Sequence, residues 1–265
     1  MAAVHAFRYQ LDVAVRLPPI PPLWRESLAG VELATLMRSS VWRGEGVPQG
    51  EGRPVLLIPG FLAGDGSLST MTRWLRANGY RTHRAGIRAN VDCSAEACAR
   101  LESRLEAFAG ETGRRVAIIG QSRGGAFARA LAVRRPDLIS RIVTLGAPTV
   151  SQLDVHPLVL VNVAVVGALG TGRLPGMFRL RCLRGDCCTT FNEELRAPVG
   201  VPYLALYSRT DGIVNWRSCL DPEAELVEVR ASHLGMGLNA EVYSELAHAL
   251  ADSNLGTDTG LAQAA

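Results

Sequence analysis

The sequence predicts an α/β protein in which helices cover both faces of a doubly wound, mostly parallel sheet, with a cap segment inserted between two strands. Short apolar runs alternate with longer helical patterns from Pro54 onward, as they do in βαβ units. These runs are apolar throughout, which is typical of strands buried on both faces. The chain has 265 residues, of which 48% are hydrophobic. That is enough for one large α/β domain.

Residues 1–53 are predicted to form an N-terminal extension that contains one helix. A proline-rich beginning precedes apolar residues at helical spacing, which indicates one apolar helix face. That face consists of Trp24, Leu28, Val31, Met37 and Val41. Such a helix docks on the core, covers a substrate entrance or lies on a membrane surface, and docking is the usual arrangement.

Residues 54–251 are predicted to form the main domain. The interval 147–200 interrupts the alternation of strands and helices and is predicted to be a cap, because enzymes often insert such a segment over their site. Residues 252–265 are small and polar and are predicted to be a flexible tail. The predicted strands are 55–58, 80–87, 116–119, 141–145, 201–207 and 225–229, and the predicted helices are 68–78, 94–110, 126–133 and 241–251.

Composition excludes several classes of protein. The net charge is only +3, and no basic run with interleaved aromatic residues indicates a nucleic-acid partner. Arg8 and Asp12 interrupt the apolar region that a signal peptide needs. The longest apolar stretch, 157–169, contains Asn162 and is too short to span a bilayer. We therefore expect a cytoplasmic protein that binds no nucleic acid.

The cysteines lack the pattern of a metal site. They form no repeated pair of the zinc-ribbon type, and no histidine lies at ligand spacing from them, so no metal site is predicted. Four of them fall between positions 182 and 219. Two states of these cysteines are equally open: one or two disulfides that bracket a loop, or free buried thiols. The six are Cys93, Cys98, Cys182, Cys187, Cys188 and Cys219.

A candidate nucleophile follows the third predicted strand. The segment Gly120-Gln121-Ser122-Arg123-Gly124 separates a β-branched apolar strand from a helical pattern. A serine on a sharp strand-to-helix turn is lifted clear of the sheet, and only glycine tolerates the crowding on either side. This context favours a nucleophilic Ser122 over an ordinary glycine-rich turn.

A serine hydroxyl needs a base, which is usually a histidine held by a carboxylate. His233 is the histidine that follows a predicted strand directly, in a loop, where parallel sheets place their sites. Asp211 follows the preceding strand and is the preferred acid, although an Asp-Gly turn is its ordinary interpretation. The other candidate aspartates between Ser122 and His233 fit less well, and these are Asp137, Asp154, Asp186 and Asp221.

Negative charge that develops on a substrate oxygen needs hydrogen-bond donors. The backbone N–H of Arg123 is presented by the turn itself. The second donor is expected from the loop after the first strand, where the Phe61 N–H is preferred and Leu62 is next. Gly60 would let this backbone approach the site. No metal or organic cofactor is required for such chemistry.

Together these residues resemble the α/β-hydrolase fold family, in particular its bacterial esterases and lipases. The resemblance rests on Leu57-Ile58-Pro59-Gly60-Phe61, on the turn around Ser122, and on the order Ser122, Asp211, His233. It covers roughly residues 54–251. This chain has Pro59-Gly60 where many lipases have His-Gly, and Arg123 where a small or apolar residue is commoner. Neither departure removes a catalytic atom, because the expected donors are backbone groups.

The resemblance implies hydrolysis of a small-molecule or lipid ester through an acyl-serine, with contact at a lipid surface as a further expectation. Two alternatives remain open: an acyltransferase or thioesterase with the same residues, and a catalytically silent binding protein of the same fold. The apolar run 158–166 either lines an acyl pocket or is a buried structural element. The side chain of Arg123 either faces an anionic group or forms a salt bridge.

Overall fold

The structure is a computed structural model that describes residues 21–251. The predicted tail, 252–265, and the charged residues Arg8 and Asp12 lie outside the described residues. No helix within 21–251 is both long and apolar enough to cross a lipid bilayer.

Six strands form one sheet in the order β2-β1-β3-β4-β5-β6, and every neighbouring pair is parallel. The predicted parallel sheet is confirmed. The central strands β1 and β3 are buried along their whole length, as their unbroken apolar sequences predicted. The strands are β1 (Pro54–Ile58), β2 (Arg81–Arg84), β3 (Val116–Gln121), β4 (Ile139–Leu145), β5 (Tyr203–Tyr207) and β6 (Glu225–Glu228).

Helices cover both faces of the sheet. Neighbouring strand residues point to opposite faces, so Leu56 packs with one apolar cluster and Leu57 with the other. Helices α1, α2 and α7 contribute to the cluster around Leu57, and α3, α4 and α6 to the cluster around Leu56. The helices are α1 (Ala29–Arg38), α2 (Ser69–Ala77), α3 (Ser94–Thr112), α4 (Arg123–Arg134), α5 (Pro157–Thr171), α6 (Asp186–Glu194) and α7 (Ala240–Ala251).

Several element boundaries differ from the sequence prediction, and two of the differences follow from glycines. Strand β2 ends at Arg84 rather than near residue 87, because the chain turns at Gly86, whose φ is +75°. Helix α4 begins at Arg123, three residues earlier than predicted. Glycines weaken a helix pattern in sequence, but Gly124 and Gly125 here lie in the first turn, where close packing on the neighbouring strands requires them.

The N-terminal segment docks on the main domain with only part of its apolar stripe. Trp24 is 68% exposed and Val31 is 64% exposed, whereas Leu36 is fully buried. Of the apolar stripe read from the sequence, Val41 is buried in the core, whereas Trp24 and Val31 do not dock. The physical reason is that Glu26 and Glu32 point inward and accept hydrogen bonds from backbone N–H groups of the main domain.

The interval 147–200 contains α5, a short 3-10 helix (Leu180–Leu183) and α6. Helix α6 packs on α4, with the rings of Phe191 and Phe127 5.6 Å apart. In α5, Leu158 and Val161 are more than half exposed. The alternative in which the apolar run is a buried structural element is therefore wrong for most of this helix.

Candidate active site

Ser122 occupies a strained turn between β3 and α4. Its φ is +52° and its ψ is −124°, a conformation that costs a non-glycine residue of order 1–3 kcal/mol and that clusters at functional sites. A Cβ on Gly120 would overlap the backbone of Gly124, and a Cβ on Gly124 would overlap the carbonyl oxygen of Ile58. The crowding expected on both sides of Ser122 is confirmed.

His233 and Asp211 are in contact. The Nδ1 atom of His233 lies 2.7 Å from the Oδ2 atom of Asp211, and both side chains are buried. The other carboxylate oxygen accepts the N–H groups of Ile213 at 2.8 Å and Val214 at 2.7 Å. A proton on Nδ1 satisfies this arrangement and leaves Nε2 as an acceptor. Asp211 is thereby fixed on both oxygens and can orient the imidazole.

Two of the aspartates set aside in the sequence analysis, Asp221 and Asp137, have arginine partners. Asp221 forms a buried ion pair with Arg129, with Nε and Oδ2 2.5 Å apart. Asp137 pairs with Arg135 at 2.8 Å. The Asp221 pair is buried and the Asp137 pair is exposed, and both carboxylates contact arginine rather than His233.

Burial of His233 acts to lower its pKa. The negative charge of Asp211 and the hydrogen bond to it outweigh that effect, with a smaller contribution from the charge of Glu26, so the pKa is raised above the ordinary value of 6.5. The imidazole is therefore a stronger base than a free histidine, and it becomes cationic at a higher pH.

Ser122 and His233 line one cavity of about 590 Å³, together with Phe61 and Arg123. The side-chain amide of Gln121 donates to the carbonyl oxygen of His233 at 3.0 Å, which links the turn to the histidine loop. Within residues 21–251 no hydrogen bond joins the Ser122 hydroxyl to His233. Such bonds are often long before a substrate binds.

The predicted donor loop lies beside Ser122. A Cβ on Gly60 would approach the Cβ of Ser122 to 3.1 Å, so glycine allows the close approach. The next residues are Phe61 and Leu62, and Leu62 has a φ of +60°, which is strained for a branched side chain. Arg123 is the first residue of α4, and an N–H at that position has no partner within its helix. The Gly60 loop and the first residue of α4 therefore both lie next to Ser122.

Comparisons with known proteins agree with this architecture. No family model and no curated protein matches the chain. Among solved structures, the mature lipase BlEst2 of Bacillus licheniformis has a TM-score of 0.59 at 15% identity, over 77% of this chain and 94% of that one. A monoacylglycerol lipase of Paleococcus ferrophilus has a TM-score of 0.54 at 15% identity, over 77% and 96%. The chain has the α/β-hydrolase fold.

Glu26 also contacts the loops of the candidate site, and the sequence analysis did not identify it. One carboxylate oxygen accepts the N–H groups of Gly212 at 2.8 Å and His233 at 3.0 Å. The other accepts the N–H of Leu234 at 2.7 Å. A single carboxylate therefore joins the loop that carries Asp211 to the loop that carries His233.

Glu32, in the first turn of α1, binds the same histidine loop. It accepts the backbone N–H of Ser232 at 2.7 Å and the Ser232 hydroxyl at 3.1 Å. The pKa of Glu32 is raised, mainly because the carboxylate is partly buried. The hydrogen bonds from Ser232 act to lower the pKa, and the charge of Glu26 acts to raise it. Both carboxylates lie about 200 positions before their partners, and no local sequence signal marks them.

The Arg123 side chain does not form the salt bridge considered from the sequence. Within residues 21–251 its guanidinium donates to the carbonyl oxygens of Asn90 at 2.8 Å and Asp92 at 2.6 Å. It also lies over the ring of Phe127, 4.9 Å from the ring centre. Burial lowers the pKa of Arg123 to about 10, so the group stays charged at neutral pH and holds the loop that precedes α3.

All six cysteines are free thiols in the structure. The structure forms no disulfide among them, and the alternative of free buried thiols holds for Cys93, Cys98 and Cys219, whereas the other three are half-buried.

Proposed function

We propose that this chain is a serine-dependent carboxylic ester hydrolase that accepts apolar acyl groups. The observation that carries the proposal is the 2.7 Å contact between His233 and Asp211 at the edge of a cavity that Ser122 also lines. The strained turn at Ser122 supports it independently. The lipases with the same fold support hydrolase chemistry only as a class, because their sequence identity is low.

The proposed reaction proceeds in two steps. His233 takes the proton of the Ser122 hydroxyl through Nε2, and the serine oxygen attacks the ester carbonyl carbon. The Phe61 and Arg123 N–H groups donate to the oxyanion. The alcohol leaves with the proton from His233, and water then releases the acid by the same route. Asp211 stabilises the imidazolium, while Glu26 keeps the two loops in register.

The walls of the cavity suggest the substrate class. Apolar side chains of residues 147–200 line it beside Ser122, including Val159, Val163 and Phe178. An acyl chain in contact with these walls is removed from water, at about 25 cal/mol for each Å² buried. In this proposal the segment acts as the cap over the acyl pocket.

A rim of exposed apolar side chains favours substrates that gather at a lipid surface. Four residues line the cavity and are also at least half exposed, so they lie at its mouth. They are Leu62, Val150, Leu153 and Leu234. Apolar surface at a cavity mouth is typical of a contact with a ligand or a membrane. We therefore include peripheral contact with lipid aggregates in the proposal.

The experiment is hydrolysis of p-nitrophenyl esters from acetate to palmitate by the wild type, Ser122→Ala and Ser151→Ala. Ser151 lines the same cavity, which makes it the matched control. We expect turnover to fall on the order of 10⁴-fold or more in Ser122→Ala and to stay near wild type in Ser151→Ala. Ser122→Ala activity close to that of the wild type would refute the proposal.

Addition of a competing alcohol or thiol acceptor separates hydrolysis from acyl transfer. A hydrolase releases mostly free acid, whereas an acyltransferase gives mostly the acceptor ester. Inactivity toward every ester together with resistance to a phosphonate would instead indicate a catalytically silent binding protein.

A further inference from the structure

Three thiols from separate elements meet next to the cavity. Cys93 precedes the first residue of α3, Cys182 lies in the 3-10 helix, and Cys187 lies in the first turn of α6. Their sulfur atoms all lie within 4.8 Å of one another. Cys93 is buried and the other two are half-buried. The cluster therefore joins residues 147–200 to the loop before α3.

The spacing suits one metal ion. Tetrahedral zinc holds each thiolate sulfur at about 2.3 Å, which places neighbouring sulfurs roughly 3.8 Å apart. The three sulfurs therefore need only small side-chain adjustments to reach a common ion. Thiolates select soft or borderline cations such as Zn²⁺ and Cu⁺ over Mg²⁺ or Ca²⁺.

The surroundings suit a thiolate site. Val91, Val166 and Phe178 pack around the cysteines, and an apolar shell limits the access of water to a metal. A positive charge lies close by, because the half-buried guanidinium of Arg123 donates to the carbonyl oxygen of Asp92, the residue before Cys93. Three thiolates and a divalent cation carry a net charge of minus one, which this guanidinium would balance.

We propose that Cys93, Cys182 and Cys187 form a binding site for a thiophilic cation of the zinc type. On binding, each thiol gives up its proton to solvent and one sulfur–metal bond replaces each S–H bond. No oxidant is consumed, and a water molecule takes the fourth position. The ion would fasten the 180–187 segment to the body of the domain, beside the Phe61 side chain that packs on the same cluster.

The test is a titration of the reduced, chelator-treated full-length protein with Co²⁺ and then Zn²⁺ under anaerobic conditions. We expect one Co²⁺ per chain, with sulfur-to-cobalt charge transfer and the visible bands of a tetrahedral site, and displacement by Zn²⁺. Ser122→Ala protein should bind equally, so the result does not depend on the proposed hydrolase activity.

Single serine variants locate the site. Cys93→Ser, Cys182→Ser and Cys187→Ser should each weaken binding about tenfold or more, because loss of a ligand costs at least as much as loss of an outer-sphere partner. Cys188→Ser is the matched control, since Cys188 neighbours Cys187 and lines the same cavity. Cys219→Ser controls for a buried thiol elsewhere.

Three results would overturn the proposal. The first is a folded wild-type protein that binds no stoichiometric Co²⁺ or Zn²⁺, and the second is equal weakening in Cys188→Ser. The third is a thiol count that reveals a disulfide among these cysteines in protein purified without reductant, which would make the cluster a redox pair. If the buried Cys93→Ser variant fails to fold, the half-buried Cys182→Ser and Cys187→Ser variants carry the test.

Discussion

Two segments outside the sheet, residues 21–53 and residues 147–200, reach the candidate site in opposite ways. The first reaches it with carboxylates: Glu26 accepts three backbone N–H groups from the loops of Asp211 and His233. The second reaches it with apolar walls such as Val159 and Phe178. Hydrogen bonds to a charged group contribute about 1.5–3 kcal/mol each and are directional, whereas apolar contact is not directional. The first segment is therefore suited to fixing geometry, and the second to accepting a variable acyl chain.

The largest expected loss of kcat comes from changing Asp211, which lies on a loop that Glu26 of the first segment binds. Asp211→Asn should keep the fold but lower kcat about 10⁴-fold, because an amide favours the wrong imidazole tautomer. The measurement is kcat on a short p-nitrophenyl ester. Asp137→Asn, at a carboxylate paired with Arg135, is the control and should stay near wild type. A loss of kcat of only a few-fold in Asp211→Asn would mean that the contact between Asp211 and His233 does not contribute to catalysis.

Glu26→Gln should show whether the N-terminal segment fixes geometry. One amide oxygen cannot replace three hydrogen bonds, so we expect kcat to fall about 10- to 100-fold, as for a small misplacement of reacting groups. The charge of Glu26 also raises the pKa of His233, and its removal should move the acid limb of the kcat/KM profile to lower pH. A pH profile recorded for both proteins measures the shift.

Glu32→Gln is the matched control for that shift. Glu32 binds Ser232, the neighbour of His233, yet its charge is not among the influences on the His233 pKa. We expect a smaller loss of kcat and an unmoved acid limb. Equal losses of kcat and equal pH profiles in the two variants would mean that both carboxylates only stabilise the fold.

The pH dependence of the wild type follows from the same charges. The base must be neutral to accept a proton, and the pKa of His233 is raised above its ordinary value. Activity should therefore decline, as the pH falls, with a midpoint above 6.5, the ordinary histidine value. A kcat/KM profile at constant ionic strength measures the midpoint, and a midpoint below that value would contradict the assigned environment.

Substitution in the second segment should change substrate preference and leave the chemistry intact. Val159→Phe fills part of the cavity, so we expect about a tenfold loss on long acyl esters and little change on acetate. Val161→Phe, two residues on and 58% exposed, should leave the chain-length profile unchanged. Equal losses on acetate and palmitate in Val159→Phe would mean that this wall does not contact the acyl chain.

Local chemistry explains how much of the site the sequence could predict. The glycines around Ser122 are required by contacts within a few residues, so their spacing is visible in the sequence. Asp211 and His233 follow strands directly, and the edge of a parallel sheet brings strand ends together. The sheet itself followed from the alternation of apolar runs and helical patterns.

Long-range packing explains what the sequence could not predict. Glu26 lies near the start of the chain and its partners lie near the end, and a carboxylate in a helical pattern ordinarily indicates a solvated face. Trp24 and Val31 stay exposed for the same reason, because polar contacts determine how that segment docks. Cys93 and Cys187 are likewise distant in sequence and meet only in the folded chain.

The central claim, that Ser122 is a nucleophile activated by His233, is tested most directly by mass spectrometry after exposure to a fluorophosphonate. This measurement needs no knowledge of the natural ester. We expect a single adduct on the peptide containing Ser122, no adduct in Ser122→Ala, and much slower labelling in His233→Ala. Absence of an adduct in the folded wild type, or an adduct on another residue, would contradict the account.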